Sequence, residues 1–198
     1  MRHLGLVSPR LPFWEKESLG HLILDLLAKE TSWYAAVDFV GTEAWTMLEP
    51  RVKERLGKGA RVEFLLGESE GNGEKSALSA LWRLSRQSDL ACYCLAGAVG
   101  PARGSCRPGV HLFLYGEGAT AIIGVPELTR STLAQNRARY LVLQGMPDDA
   151  LLAEAIALYR HIKSALPWRG LHPRWFYLPA GVSSPKNHSL FSYPFRVK

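Results

Sequence analysis

Within residues 109–136, GVHLFLYGEGATAIIGVPELTRSTLAQN, one side chain stands out by type as able to do chemistry: His111, set inside an apolar run. An imidazole can attack an electrophile or carry a proton near neutral pH. To catalyse, it needs company: a second acid or base, a cation, or donors that hold developing negative charge. Around His111 these partners are missing by residue type. Phe113 stands two positions on, and Gly124, which closes the second apolar run, is followed by Val125 and Glu127. A histidine in such a run also has a plainer use, as a packed core residue.

Other reactive residues are scattered. HPRWFY (residues 172–177) sets His172 two positions before Arg174, with GVSSPKNH downstream, but no strand and helix pattern precedes it. Cys92 and Cys94 share one face of a strand, because alternate residues do. A metal there would need two more ligands, and the nearby histidine is His111. With Cys106 they make no disulfide framework and read as reduced packing residues; no metal or other cofactor is expected.

Charge is divided unevenly along the 198 residues. Residues 1–100 carry 12 Lys/Arg against 13 Asp/Glu, and residues 101–198 carry 12 against 5. No acid follows Glu154, whereas Arg160, Lys163, Arg169, Arg174, Lys186, Arg196 and Lys198 do, interleaved with Trp168, Trp175, Phe176, Tyr177 and Phe191. Cations neutralise phosphates and aromatic faces stack on bases, so nucleic acid is an expected partner. The same aromatics would also suit a groove on a protein.

The elements that must position these residues follow from periodicity. Leu19, Leu22, Ile23, Leu26 and Leu27 repeat at helical spacing within residues 16–30. SWYAAVDFVG, GARVEFLLG, DLACYCLAG and ARYLVLQG read as strands, and VHLFLYG with ATAIIG as a hairpin. TEAWTMLEPRVKERL is helical, with Pro50 expected to kink it or to begin a second segment. KSALSALWRLSRQ is an amphipathic helix, RSTLAQN a short one, and residues 146–166 a helix with Asp148 and Asp149 at its start. Alternating helices and strands imply an α/β sandwich around a mixed sheet, spanning residues 1–166, with a basic, aromatic and Pro-rich extension at 167–198. The longest apolar runs fall well short of the roughly 18 residues a membrane span needs. With no apolar leader at the N-terminus, the chain reads as cytoplasmic.

This order, with histidine in the first strand of the hairpin, resembles the phospholipase D-like superfamily, in particular its restriction-endonuclease-like nuclease branch. The likeness covers roughly residues 15–145. There the hairpin reads approximately H-P-K-L-Y, a turn, G-S-x-N-L-T, then a polar N-x-E; here the stretches are HLFLY, GVPELT and NRA. The resemblance implies a histidine that attacks phosphorus, a second histidine that protonates the leaving oxygen, and no metal. It also implies a lysine, a serine and an asparagine that bind phosphate oxygens, and a glutamate that orients the histidine. A chain with one motif would have to dimerise to bring two histidines together. Of these residues only the histidine is kept, as His111. The lysine position is Phe113, the serine position Val125, the asparagine position Glu127 and the glutamate position Ala138, while Gly118 stands where an aspartate completes the fuller motif.

Losing one electrostatic contact of this kind costs about 10²–10³ in rate, and several are gone. Arg130, Arg137 and Arg139 lie close to the altered positions in sequence, and Arg103 and Arg107 occupy the Gly/Pro-rich loop ahead of the hairpin. The expectation is a catalytically inactive nuclease-like protein that binds nucleic acid or scaffolds an assembly of the restriction, defence or CRISPR kind. The alternatives are an active metal-independent phosphodiesterase with a composite dimer site around His111, and a protein-binding adaptor.

Overall fold

Ser18 opens the first helix, α1 (Leu19–Ala28), its hydroxyl accepting a hydrogen bond from His21 N at 3.2 Å. Leu19, Ile23, Leu26 and Leu27 turn into the core as their spacing requires. The computed structural model describes residues 5–7, 18–29, 31–67, 74–95, 108–135, 139–165 and 168–170. The remaining helices are α2 (Thr42–Gly57), α3 (Lys75–Gln87), α4 (Arg130–Ala134) and α5 (Ala150–Ala165). Pro50 neither ends α2 nor begins another segment. Proline removes the bond to the carbonyl four residues back, here that of Thr46. Both Pro50 and Thr46 are exposed, so water can take the carbonyl that the ring leaves unbonded.

The strands are β1 (Gly5–Val7), β2 (Thr31–Val37), β3 (Phe39–Val40), β4 (Val62–Leu66), β5 (Leu90–Leu95), β6 (Val110–Tyr115), β7 (Gly118–Ile123), β8 (Glu127–Leu128), β9 (Tyr140–Gly145) and β10 (Trp168–Gly170). Eight of them form one mixed sheet, β1-β9-β7-β6-β2-β4-β5-β10, and β3 pairs with β8 outside it. Strands β2, β4 and β5 run parallel; every other neighbour in the large sheet is antiparallel. The sheet therefore reaches into the C-terminal extension, since Trp168–Gly170 forms an edge strand on β5.

Alternation along the strands divides the core in two. Trp33, Phe64, Leu66, Cys92, Phe113 and Ile122 face one layer with α1, α2, α3 and α4. Ala36, Leu65, Leu112, Ala121 and Leu143 face the other, under Leu152, Ala155, Tyr159 and Ile162 of α5. This is the expected α/β/α sandwich. Cys92 and Cys94 lie buried together on the first face, as their spacing requires, and burial pushes the Cys92 thiol well up. Cys106 lies outside the described residues.

On the α5 side, the fully buried Glu63 interrupts an otherwise apolar surface. A buried carboxylate is tolerated only when its oxygens are hydrogen-bonded. Tyr159 Oη donates to it at 2.7 Å, and Lys163 Nζ reaches its two oxygens at 2.7 and 2.9 Å. These bonds tie the C-terminal half of α5 to β4.

Candidate functional site

One end of the sheet gathers the altered motif. There the C-terminal ends of β2, β4, β5 and β7 meet the N-terminal ends of β6, β9 and β10. His111 is the second residue of β6, opposite Ala35 of β2 and Ile122 of β7. Its neighbour Gly109 has φ 75°, and Gly124 has φ 103°, values that favour glycine. Gly124 N donates to the Gly109 carbonyl at 3.0 Å. A Cβ on Gly109 would stand 2.3 Å from the Val125 carbonyl carbon, so the chain leaving β7 lies directly across the start of β6.

That crossing brings the Val125 carbonyl to the imidazole. His111 Nε2 and the oxygen are 3.1 Å apart, and since a carbonyl only accepts, Nε2 carries the proton. Nδ1 is then the unprotonated nitrogen; it is buried without a hydrogen-bond partner among the described residues. His111 has no exposed surface. Burial pushes its pKa down to about 4, the Val125 bond opposing, so the ring is neutral at pH 7.

Phe113, to which the resemblance gives the lysine position, is part of the core. Phe113 is fully buried and stacks on Trp33, centroids 5.5 Å apart and planes 10° from parallel. Trp33 also stacks on His111 at 6.0 Å, and Phe64 meets Trp33 edge-on at 4.9 Å. Aromatic contacts of these kinds contribute about 0.5–1.5 kcal/mol each beyond burial. Val125, at the serine position, is also fully buried. Glu127 is exposed on β8, where its carbonyl accepts from Thr132 Oγ1 at 2.9 Å. Gly118 begins β7 at the far end of the hairpin, opposite Tyr115.

The arginines divide. Arg139 is exposed where β9 begins, and its carbonyl oxygen would lie 2.8 Å from a Cβ on Gly124, which fixes its backbone beside the motif glycine. Arg130, the first residue of α4, is exposed and 3.5 Å from the equally exposed Glu43. Arg160 is exposed on α5, whereas Lys163 is held by the buried Glu63. Arg169 stands in β10 opposite Cys94. Arg103, Arg107, Arg137, Ala138, His172, Arg174 and Lys186 lie outside the described residues. The segment carrying Arg103 and Arg107 leaves from β5 and returns to β6, with both attachment points at the motif end of the sheet.

Sequence reasoning passed over Asp38, buried at this same end, whose backbone N–H donates to the Pro126 carbonyl at 2.6 Å. Its signal was an acid inside the apolar run AAVDFV. It also passed over Glu63, for which RVEFLL carried the same signal. No group of His, Cys, Asp and Glu suited to a metal occurs among the described residues, and no helix there is long and apolar enough to cross a membrane.

The sequence matches no family model and no curated protein. Solved structures do resemble it. NucT from Helicobacter pylori superposes with a TM-score of 0.55 at 14% identity, covering 83% of this chain and 96% of that one. Nuc from Salmonella typhimurium, a phospholipase D family member, superposes with a TM-score of 0.50 at 15% identity, covering 75% of this chain and 88% of that one. The fold is phospholipase D-like. Within the phospholipase D-like fold of this chain, the hairpin β6–β7 carries His111 and the segment at Gly124, as the sequence likeness implies. Phe113 and Val125 are buried and apolar, and Glu127 is exposed.

Proposed function

We propose that this protein is a nuclease-like subunit that binds nucleic acid without cleaving it. The observation that carries the reading is the bond between His111 and Val125. A nucleophile must reach its phosphorus atom, and this imidazole has no exposed surface, one nitrogen bound to a carbonyl and the other enclosed. Phe113 supplies no cation, and Glu127 would repel a phosphodiester. Binding is supported by charge: Arg130 and Arg139 stand exposed at the motif end, and the acid-free C-terminal segment adds further cations. Two copies joined as the resemblance implies would bring together two closed histidines, so a dimer would serve binding or assembly within a larger complex.

Fluorescence anisotropy on labelled duplex and single-stranded DNA and RNA tests the binding half of this reading. Each phosphate contact on a duplex lowers the slope of log K against log salt by about 0.9. A slope steeper than about −2, flattened by Arg130→Gln/Arg139→Gln, is expected. No binding to any of the four at low salt would overturn it.

A further inference from the structure

Helix α3 exposes Lys75, Arg83 and Arg86 and contains no Asp or Glu. The other long helices are balanced differently. In α2, Arg51 and Lys53 pair with Glu54 and Glu49, and in α5 Lys163 pairs with Glu63 of the sheet. None of the three α3 cations has an ion-pair partner among the described residues. The flanking acids sit at the two helix ends. Glu74, just before α3, accepts from Thr42 N at 2.8 Å, and Asp89 follows it.

The inward face of α3 holds Ala77, Leu78, Leu81 and Leu84, so the cations share the outward side with Gln87. From Lys75 to Arg86 the helix rises about 16 Å. Helix α3 packs on β5, and β10 pairs with β5 at the edge of the sheet.

Cations in a row, with no ion-pair partner among the described residues, fit a polyanion. The leucines of α3 are buried, leaving little apolar surface to enter a lipid layer, while Gln87 adds a donor suited to phosphate oxygens. We infer that the outward face of α3 contacts the phosphodiester backbone of the bound nucleic acid. The inference rests on the nucleic-acid-binding reading above and adds a face to it.

The test compares the full chain with Lys75→Gln/Arg83→Gln/Arg86→Gln and with the charge-retaining Arg83→Lys/Arg86→Lys, by anisotropy on a labelled duplex between about 50 and 200 mM salt. Far-UV circular dichroism and thermal melting check that each is folded. The glutamine variant is expected to bind about 10-fold or more weakly, with a salt slope shallower by about 2 to 3, and the lysine variant to keep most of both. Unchanged binding by a folded glutamine variant overturns this inference and leaves the broader reading standing. A wild-type chain that binds no nucleic acid overturns both. Sedimentation with anionic phosphatidylglycerol vesicles, lost in the glutamine variant while duplex binding is kept, would assign the face to a membrane and overturn it too.

Discussion

His111 Nε2 donates to the Val125 carbonyl oxygen across 3.1 Å, and Val125 stands where the resembling family places the serine that holds phosphate. The imidazole and the segment after β7 close on each other. Gly109 makes this possible by letting the chain beyond β7 cross at a distance no side chain would tolerate.

Burial of the imidazole predicts an acid sensitivity. The His111 pKa falls from 6.5 in the unfolded chain to about 4 in the fold. Above pH 6.5 both states are neutral at this site and nothing is lost. As pH falls toward 4 the unfolded chain takes up a proton that the native ring does not, and stability declines by about 3 kcal/mol in all. Below pH 4 this contribution levels off. Urea unfolding of wild type and His111→Leu at a series of pH values from 7.5 down to 4 measures the difference. A pH dependence identical in the two proteins would contradict it.

A cation at position 113 is expected to bring no cleavage. Phe113→Lys would place an ammonium against Trp33 in a fully buried position, at a cost of several kcal/mol unless the side chain rearranges. Expected outcomes are a sharply lowered denaturation midpoint and no gain of cleavage. Phe113→Ala should cost about 3–5 kcal/mol through the cavity it leaves.

Lys163 has a structural use that its charge alone did not reveal. Removing one partner of a buried ion pair costs about 3–5 kcal/mol when the other charge is left unmet, and Lys163 is 31% exposed, which places the loss toward or below the lower end. Lys163→Met should therefore lower stability by about 1–3 kcal/mol while the salt slope of nucleic-acid binding stays as in wild type. A flattened slope with unchanged stability would instead make it a phosphate contact.

Gly109→Ala should disturb the crossing itself. An added Cβ would fall 2.3 Å from the Val125 carbonyl carbon at a φ of 75°, so residues 124–126 must move. A loss of at least about 2 kcal/mol is expected, with the enclosure of His111 opened to water. The imidazole NMR signals would report this as a pKa moving from about 4 toward the ordinary 6.5. An unshifted pKa in a folded variant would count against the crossing as the cause of enclosure.

The sandwich was legible because its central elements are long and patterned: RVEFLL and VHLFLY alternate faces, and KSALSALWRLSRQ repeats at helical spacing. The edge strands were not. Gly5–Val7 and Trp168–Gly170 are three residues each, too short to set a period, and their pairing with β9 and β5 is a tertiary event. Pro50 suggested an interruption because a propensity rule does not know which carbonyl faces water. At the site, the residue types marked His111 out inside its apolar run. The Val125 carbonyl could not be foreseen, since any residue supplies one and only the Gly109 crossing brings it to the ring.

The most direct test is cleavage of labelled single- and double-stranded DNA and RNA by purified protein in EDTA, with His111→Ala alongside. No cleavage by either protein, on substrates that the wild type binds, is the expected result. Cleavage by the wild type that survives EDTA and disappears in His111→Ala would contradict the account, because the enclosed imidazole would then have to open and reach phosphorus.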